Sequence, residues 1–282
     1  MVDAGGGGQL SPAGVLDGKH LRRRGEWVFN EGLPAIAANV SSNLASGLKP
    51  WQPVKVRDAE VAVVGYGPSL TASLPALAAL AQRGVPVWTC SKAHDAVLAA
   101  GIPVARHTDV EYRPHKALYI REFRPEIEYV LGLQIHPSYL ARLRDAGIEP
   151  KAFLMSIPGM PPGTAAYRKT VIELPERLRW VPDAGLTIAS LAYGIGYRRQ
   201  HWFGIDAGLG EDGATHAGMH EGVKSNKRDV LVDGQIRGTS EILIREAIVA
   251  DEMLRAAPKL RVTIHGDGLL RPFLLARGIQ LS

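Results

Sequence analysis

The sequence predicts an α/β fold: a Rossmann-like, mostly parallel sheet with helices on both faces, plus an N-terminal helical flank. Three observations carry that expectation. From Val61 onward, apolar runs of strand length alternate with stretches of helical periodicity, the pattern of a sheet built from strand–helix units. The first run, Glu60-Val-Ala-Val-Val64, passes through Gly65-Tyr-Gly67-Pro68-Ser69 straight into a helical pattern at Leu70, Leu74, Leu77 and Leu80. At 282 residues with 46% hydrophobic content, the chain can bury one large α/β core with a flank, or two small ones.

Residues 1–18 are rich in glycine and small polar residues and are predicted to be disordered. Residues 19–58 form the flank, with a helix over Asn30 to Leu48 closed by Gly47, Pro50 and Pro53. Residues 59–282 form the Rossmann-like domain. Its expected strands are 61–65, 86–90, 104–108, 128–133, 152–156, 170–174, 200–205 and 261–265. Helices are expected at 70–83, 92–100, 137–146, 186–196, 239–257 and 268–277. Two stretches break the alternation: the Pro/Gly-rich Ser156–Gly163, and the polar, glycine-rich 206–238, which reads as a long functional loop.

The net charge of +5 and pI near 9.3 are mildly basic, with runs at His20–Arg24 and Lys224–Arg228 that suit a phosphorylated substrate or nucleic acid as well as a solvated surface. The mean hydropathy is −0.02, and no apolar run approaches the ~20 residues of a membrane helix. The N-terminus lacks a secretory pattern, and the single cysteine, Cys90, precludes an internal disulfide. A cytoplasmic protein with no membrane partner is expected.

Ligands of parallel sheets sit beyond the carboxyl ends of the strands, so the residues after each run are the candidates. Gly65 and Gly67, followed by Pro68 and the potential helix cap Ser69, suit an anion such as a nucleotide phosphate. The loop lacks the third glycine of a dinucleotide fingerprint and the Gly-Lys-Ser/Thr of a P-loop, and an ordinary strand-to-helix turn explains it equally well. Farther on, His107 to Lys116 places Glu111 and Arg113 at a strand end, where a metal, ribose or phosphate could bind. His136, held extended by Pro137, is an acid/base candidate or the cap of its own helix. Asp183-Ala-Gly185-Leu-Thr187 offers a second anion or base contact, Asp206 ends a strand beside Gly204, and His216 follows in the 206–238 loop. Asp206 and Glu111 are the cation candidates.

Read in order, these segments resemble the 6-hydroxymethylpterin diphosphokinase MptE-like family, most closely its phage-type members. The opening Gly65-Tyr-Gly-Pro-Ser-Leu70 is similar to the family's Gly-x-Gly-Pro-Ser-Leu segment. It also resembles the same region of motility-associated-factor glycosyltransferases and bacterial sialyltransferases. Ala93-His-Asp95, Glu111-Tyr-Arg113-Pro, Leu133-Gln-Ile-His136-Pro137, Gly185-Leu-Thr187, Phe203-Gly-Ile-Asp206, Thr215-His216-Ala and Val262–Gly268 continue the series. Glu111 stands where the family has Asp, and Asp183-Ala replaces a Ser/Thr-rich lead into the helix.

The resemblance implies a transferase that binds a nucleotide or nucleotide-sugar donor, with Mg2+ a candidate cofactor. In it Gly65, Gly67, Pro68, Ser69, Glu111, Arg113, Gly185 and Thr187 would bind the donor, and His136, His216 and Asp206 would do the chemistry. Glycosyl transfer is the favoured activity. Diphosphate transfer from ATP to a pterin-like alcohol is the alternative, and a non-catalytic phage protein binding nucleotide or DNA is the third. The acceptor (glycan, protein, DNA base or pterin) and the oligomeric state stay open, and a phage-encoded chain would act in the host cytoplasm.

Overall fold

A computed structural model of the protein describes the backbone of residues 16–17 and, in full, residues 32–154, 164, 167, 183–210, 213–217 and 227–282. In chain order the elements are β1 (Leu16–Asp17), α1 (Leu33–Ala45), β2 (Lys49–Pro50), β3 (Ala59–Val64), α2 (Leu70–Gln82), β4 (Val87–Cys90), α3 (Ala93–Ala99) and β5 (Arg106–Asp109). There follow β6 (Glu128–Gly132), α4 (Pro137–Asp145), β7 (Lys151–Phe153), α5 (Ala184–Ile195) and β8 (Tyr197–Phe203). The chain ends with β9 (Lys227–Val232), β10 (Gln235–Ser240), α6 (Glu241–Ala256), β11 (Arg261–His265) and α7 (Leu270–Ala276).

Eight strands form one sheet in the order β11-β8-β3-β4-β5-β6-β7-β2, and every pair in it is parallel. The predicted Rossmann-like architecture is therefore present. Central strands covered on both faces need apolar side chains in both directions, which is why Val61 to Val64 are all fully buried and the sequence there shows no alternation. Helix α5 lies against β3, β4, β5 and β8 and is buried around nearly its whole circumference.

The strand order fixes where a site can form. From β3 the chain runs through α2 to β4 and onward to β7 on one side. It then returns to β8, on the opposite side of β3, and continues outward to β11. The crevice between the carboxyl ends of β3 and β8 is thus the topological switch point, where connections diverge and leave room for a ligand.

The flank is tied into this sheet. Asn39 Nδ2 donates to the carbonyls of Tyr112 and Gln134, and Asn43 Nδ2 donates to those of Leu133 and Ile135. Through β2 the same segment supplies an edge strand, pairing with β7.

Two departures from the sequence reading have clear causes. Strand β8 stops at Phe203 because Gly204 takes a positive φ of 58° and turns the chain out of the sheet. The stretch expected to be one loop from 206 to 238 contains an antiparallel hairpin, β9–β10, with Val232 opposite Gln235. Its tip, Asp233-Gly234, has φ of 51° and 71°, the backbone required by a tight two-residue hairpin turn. Strand β1 pairs in parallel with β9, making a separate three-stranded sheet. The expected strand 170–174, the loop Ser156–Gly163, Lys224 and the run His20–Arg24 lie outside the described residues. No helix among the described residues is long and apolar enough to cross a membrane.

Candidate functional site

Three glycine-containing turns meet at the switch point, after β3, β8 and β11. The Gly67 amide donates to the Gly204 carbonyl at 2.8 Å, and the Gly65 amide to that of Phe203 at 2.8 Å. This approach leaves no room for side chains. A Cβ on Gly65 would stand 2.5 Å from the Gly204 oxygen, and one on Gly67 would stand 2.4 Å from Asp206 Oδ2. Gly266, with φ of 123°, abuts Ser69 in the same way, and Gly268 abuts Asp206.

Asp206 sits at the centre of these turns, 5% exposed. Its Oδ2 accepts the Ser69 amide at 2.8 Å, and its Oδ1 accepts the Ser69 hydroxyl at 2.5 Å. The Ser69 side chain therefore does not cap α2; the incoming carboxylate of Asp206 satisfies that helix N-terminus instead. Burial raises the Asp206 pKa, the two Ser69 hydrogen bonds lower it, and nearby Asp267 raises it again, with burial the largest effect. Gly65, Gly67, Ser69 and Leu70 amides are all engaged within the protein. The turn is a fastening between strand tips, and a carboxylate stands where the sequence reading placed a phosphate.

Two cavities open on either side of this fastening. The first, about 260 Å³, lies against Gly65, Tyr66 and Gly67 and is walled by Asp183, Glu246 and Cys90. The second, about 890 Å³, is walled by Ser69 and the hairpin, with Lys227, Arg228 and Arg237 among its lining. Pro68, Asp206 and His216 line both. These three residues form the doorway between an acidic chamber and a larger one of mixed charge, called here the basic chamber for its three cations, where Lys227, Arg228 and Arg237 stand with Asp206, Asp229 and Asp267.

Each charged wall has a structural origin. Asp183 caps α5, its Oδ1 accepting from the Leu186 amide at 2.7 Å; burial nonetheless raises its pKa. Glu246 is 7% exposed on the inward face of α6, and its carboxyl is pushed well above the ordinary range by burial, then by Asp183 and Asp206. The Cys90 thiol is raised by the same combination of burial and neighbouring carboxylates. On the basic side, Arg237 donates to the Asp267 carbonyl at 2.6 Å and to Gln235 at 2.9 Å, while Arg228 pairs with Glu241 at 3.2 Å. His216 is oriented by Thr215, whose Oγ1 is 2.9 Å from the imidazole Nδ1, and its ring lies 6.1 Å from that of Tyr66.

The remaining sequence candidates fall elsewhere. Glu111 and Arg113 pair with each other at 2.7 and 2.8 Å in the turn after β5, outside the lining of both cavities. His136 caps α4, accepting from the Ser138 amide at 3.2 Å. Gly185 and Thr187 are buried in the first turn of α5, with Thr187 Oγ1 donating to the Asp183 carbonyl, and Asp183 reaches the chamber in their place. His107, fully buried, bonds to Thr89 and Tyr139 in the core.

Among the described residues, no group of three or more His, Cys, Asp or Glu side chains could hold a metal ion. The donor set does not fit a resident Mg2+, because Ser69 holds both Asp206 oxygens and Arg113 engages the Glu111 carboxylate.

Sequence reasoning missed Glu246. Its signal was there: it lies three residues after Leu243 and four before Ala250, a carboxylate on the apolar stripe of an amphipathic helix.

No protein-family model matches the chain, and no curated protein matches it. Among solved structures it is similar to the MAf glycosyltransferase from Magnetospirillum magneticum AMB-1, at 17% identity and a TM-score of 0.59. That match covers 87% of this chain but 38% of the other, so the chain spans well under half of that enzyme. A mammalian sialyltransferase in complex with Gal-beta-1-3GalNAc-ortho-nitrophenol also matches, at 13% identity and a TM-score of 0.48, over 88% of this chain and 90% of that one. At 17% identity the likeness to the MAf glycosyltransferase establishes a shared fold.

Proposed function

We propose that the protein is a nucleotide-dependent transferase that moves a sugar from a nucleotide-sugar donor to an acceptor. The observation that carries this reading is the doorway: Asp206 and His216 stand between a basic and an acidic chamber at the switch point of the sheet. Group transfer from a nucleotide needs cations around the leaving phosphate and a proton acceptor beside the attacking hydroxyl.

The basic chamber answers the first need. Lys227, Arg228 and Arg237 project from one hairpin, and about 890 Å³ is ample for a nucleotide-sugar. His216 answers the second, since it reaches both chambers and is oriented by Thr215. Asp206, held by Ser69, fixes the geometry of the doorway and favours positive charge as the bond to the sugar breaks. The fold shared with a MAf glycosyltransferase supports the class of reaction. The ordered motifs support a place among phage-type MptE-like proteins.

Incubation with CMP- and UDP-sugars, followed by detection of free nucleotide, tests the reading. Turnover lost in Lys227→Ala and Arg237→Ala proteins that remain folded is expected. Release of AMP from ATP without cleavage of any nucleotide-sugar would replace glycosyl transfer with diphosphate transfer.

A further inference from the structure

The acidic chamber has a feature that the transfer reading does not use. Glu246 is 7% exposed, lines the cavity, and makes no hydrogen bond among the described residues. A largely buried carboxyl with no donor from the protein depends for its hydrogen bonds on whatever occupies the cavity it lines. Asp183 and Asp206 line the same space, and among the described residues no lysine or arginine does. Asp183 is occupied with capping α5, and Asp206 with Ser69. Glu246 is the one of the three carboxylates left to meet a ligand.

We propose that the acidic chamber is an acceptor subsite for a protonated primary amine, with Glu246 the residue that selects it. The inference rests on the transferase reading for the word acceptor, and on the chamber alone for the amine. Size assigns the two roles. The basic chamber can house a whole nucleotide-sugar, whereas about 260 Å³ suits one monosaccharide-sized group. Charge assigns them the same way: in the larger chamber Lys227, Arg228 and Arg237 offset Asp206, Asp229 and Asp267, whereas the three carboxylates of the smaller one face no cation among the described residues, and so repel a phosphate and attract an ammonium. An ammonium supplies three donors and no acceptor, the complement of a carboxylate that lacks any donor. The wall also has an apolar part, Ile242, Leu243 and Tyr66, against which the carbon skeleton of an amino sugar or amino alcohol can lie. The cost of ionising Glu246 beside Asp183 and Asp206 is reversed once a cation sits among them. A neutral hydroxyl in the same place offers no such return. The chamber therefore discriminates amine from alcohol.

Calorimetric titration of the whole protein with glucosamine, glucose and N-acetylglucosamine at neutral pH tests this, with CMP and UDP titrated in parallel. The expected result is glucosamine binding at least tenfold tighter than the other two sugars. Glu246→Gln should abolish that preference and leave nucleotide affinity unchanged. Equal affinity for glucosamine and glucose overturns the proposal, as does a glucosamine preference that survives in E246Q. If E246Q does not fold, Glu246→Asp and the wild-type selectivity decide: wild type must prefer the amine, and the aspartate variant must keep the preference. Amine selectivity without nucleotide binding would sustain the subsite and remove the transferase reading, whereas nucleotide binding without amine selectivity would do the reverse.

Discussion

The amide and the hydroxyl of Ser69 both donate to the carboxylate of Asp206, across 137 residues of chain, and so bind the first turn of α2 to the tip of β8. A hydrogen bond from a buried hydroxyl to a carboxylate contributes about 1.5–3 kcal/mol. Ser69→Ala should therefore lose roughly that much stability, seen as a lower denaturation midpoint at unchanged slope. If the midpoint does not move, the 2.5 Å contact has no energetic weight.

Gly67 carries a second expectation. Any side chain there meets Asp206 Oδ2 and the Gly204 oxygen at 2.4 and 2.7 Å, and the second of these is backbone that cannot swing aside. Gly67→Ala should destabilise the fold by about 1–3 kcal/mol. Gly47, whose Cβ direction is open but whose φ is 72°, should lose about 1 kcal/mol through backbone strain alone. Thermal melts of the two alanine variants separate steric from conformational cost. Melting of Gly67→Ala at the wild-type temperature would contradict the close approach of the two turns.

Asp109 makes the stability depend on pH. It is 1% exposed, burial is the main cause raising its pKa from 3.8 to about 6, and its Oδ2 has no partner among the described residues. An acid whose folded pKa is raised adds stability that is complete below about pH 3.8 and lost as pH climbs through about 6. The loss corresponds to about 3 kcal/mol. Asp109→Asn keeps an acceptor for the Val110 and Glu111 amides and does not titrate. The variant should match wild type near pH 4 and become more stable than it by up to about 3 kcal/mol at pH 7. A stability difference that stays flat between those pH values would show that Asp109 ionises as it does in the unfolded chain.

Hydrogen exchange should separate the roles of the segments around the doorway. If the hairpin closes on a donor phosphate, saturating nucleotide-sugar slows exchange at 213–217 and in β9 and β10, while the amides of Gly65, Gly67 and Ser69, already bonded internally, change little. Protection confined to 65–70 would locate the ligand at the fastening itself and undo the assignment of the basic chamber.

The fold was legible because a parallel sheet covered on both faces imposes local signals. The buried run Val61–Val64, the helical spacing after Ser69 and the extended His136 before Pro137 each report their own element without help from the rest of the chain. The site was less so. Ser69, Gly65 and Gly67 look the same whether their partner is a ligand phosphate or a carboxylate 137 residues away, and only tertiary structure shows that Asp206 has taken the place. Glu111 and Arg113 drew attention as a charged pair at a strand end, yet each is answered by the other. The hairpin was missed for a different reason. Asp233-Gly234 between Val230-Leu-Val232 and Ile236 is a strong turn signal, but the surrounding glycines and charges disguised it as loop.

The position of the chamber walls within the chain has a consequence for how such a protein can change. Glu246 on α6, Lys227, Arg228 and Arg237 on the hairpin, and His216 at the doorway all belong to the single passage from β8 to β11. The passage is covalently continuous with the sheet at Gly204 and Arg261, and between them the Ala217 amide donates to the Tyr66 carbonyl after β3 at 3.1 Å. Insertions or replacements between those points leave the register of β3, β4, β5 and β6 untouched, so selectivity can drift while the framework stays fixed. Exchange of residues 207–256 between proteins of this architecture would carry ligand preference with it as one cassette.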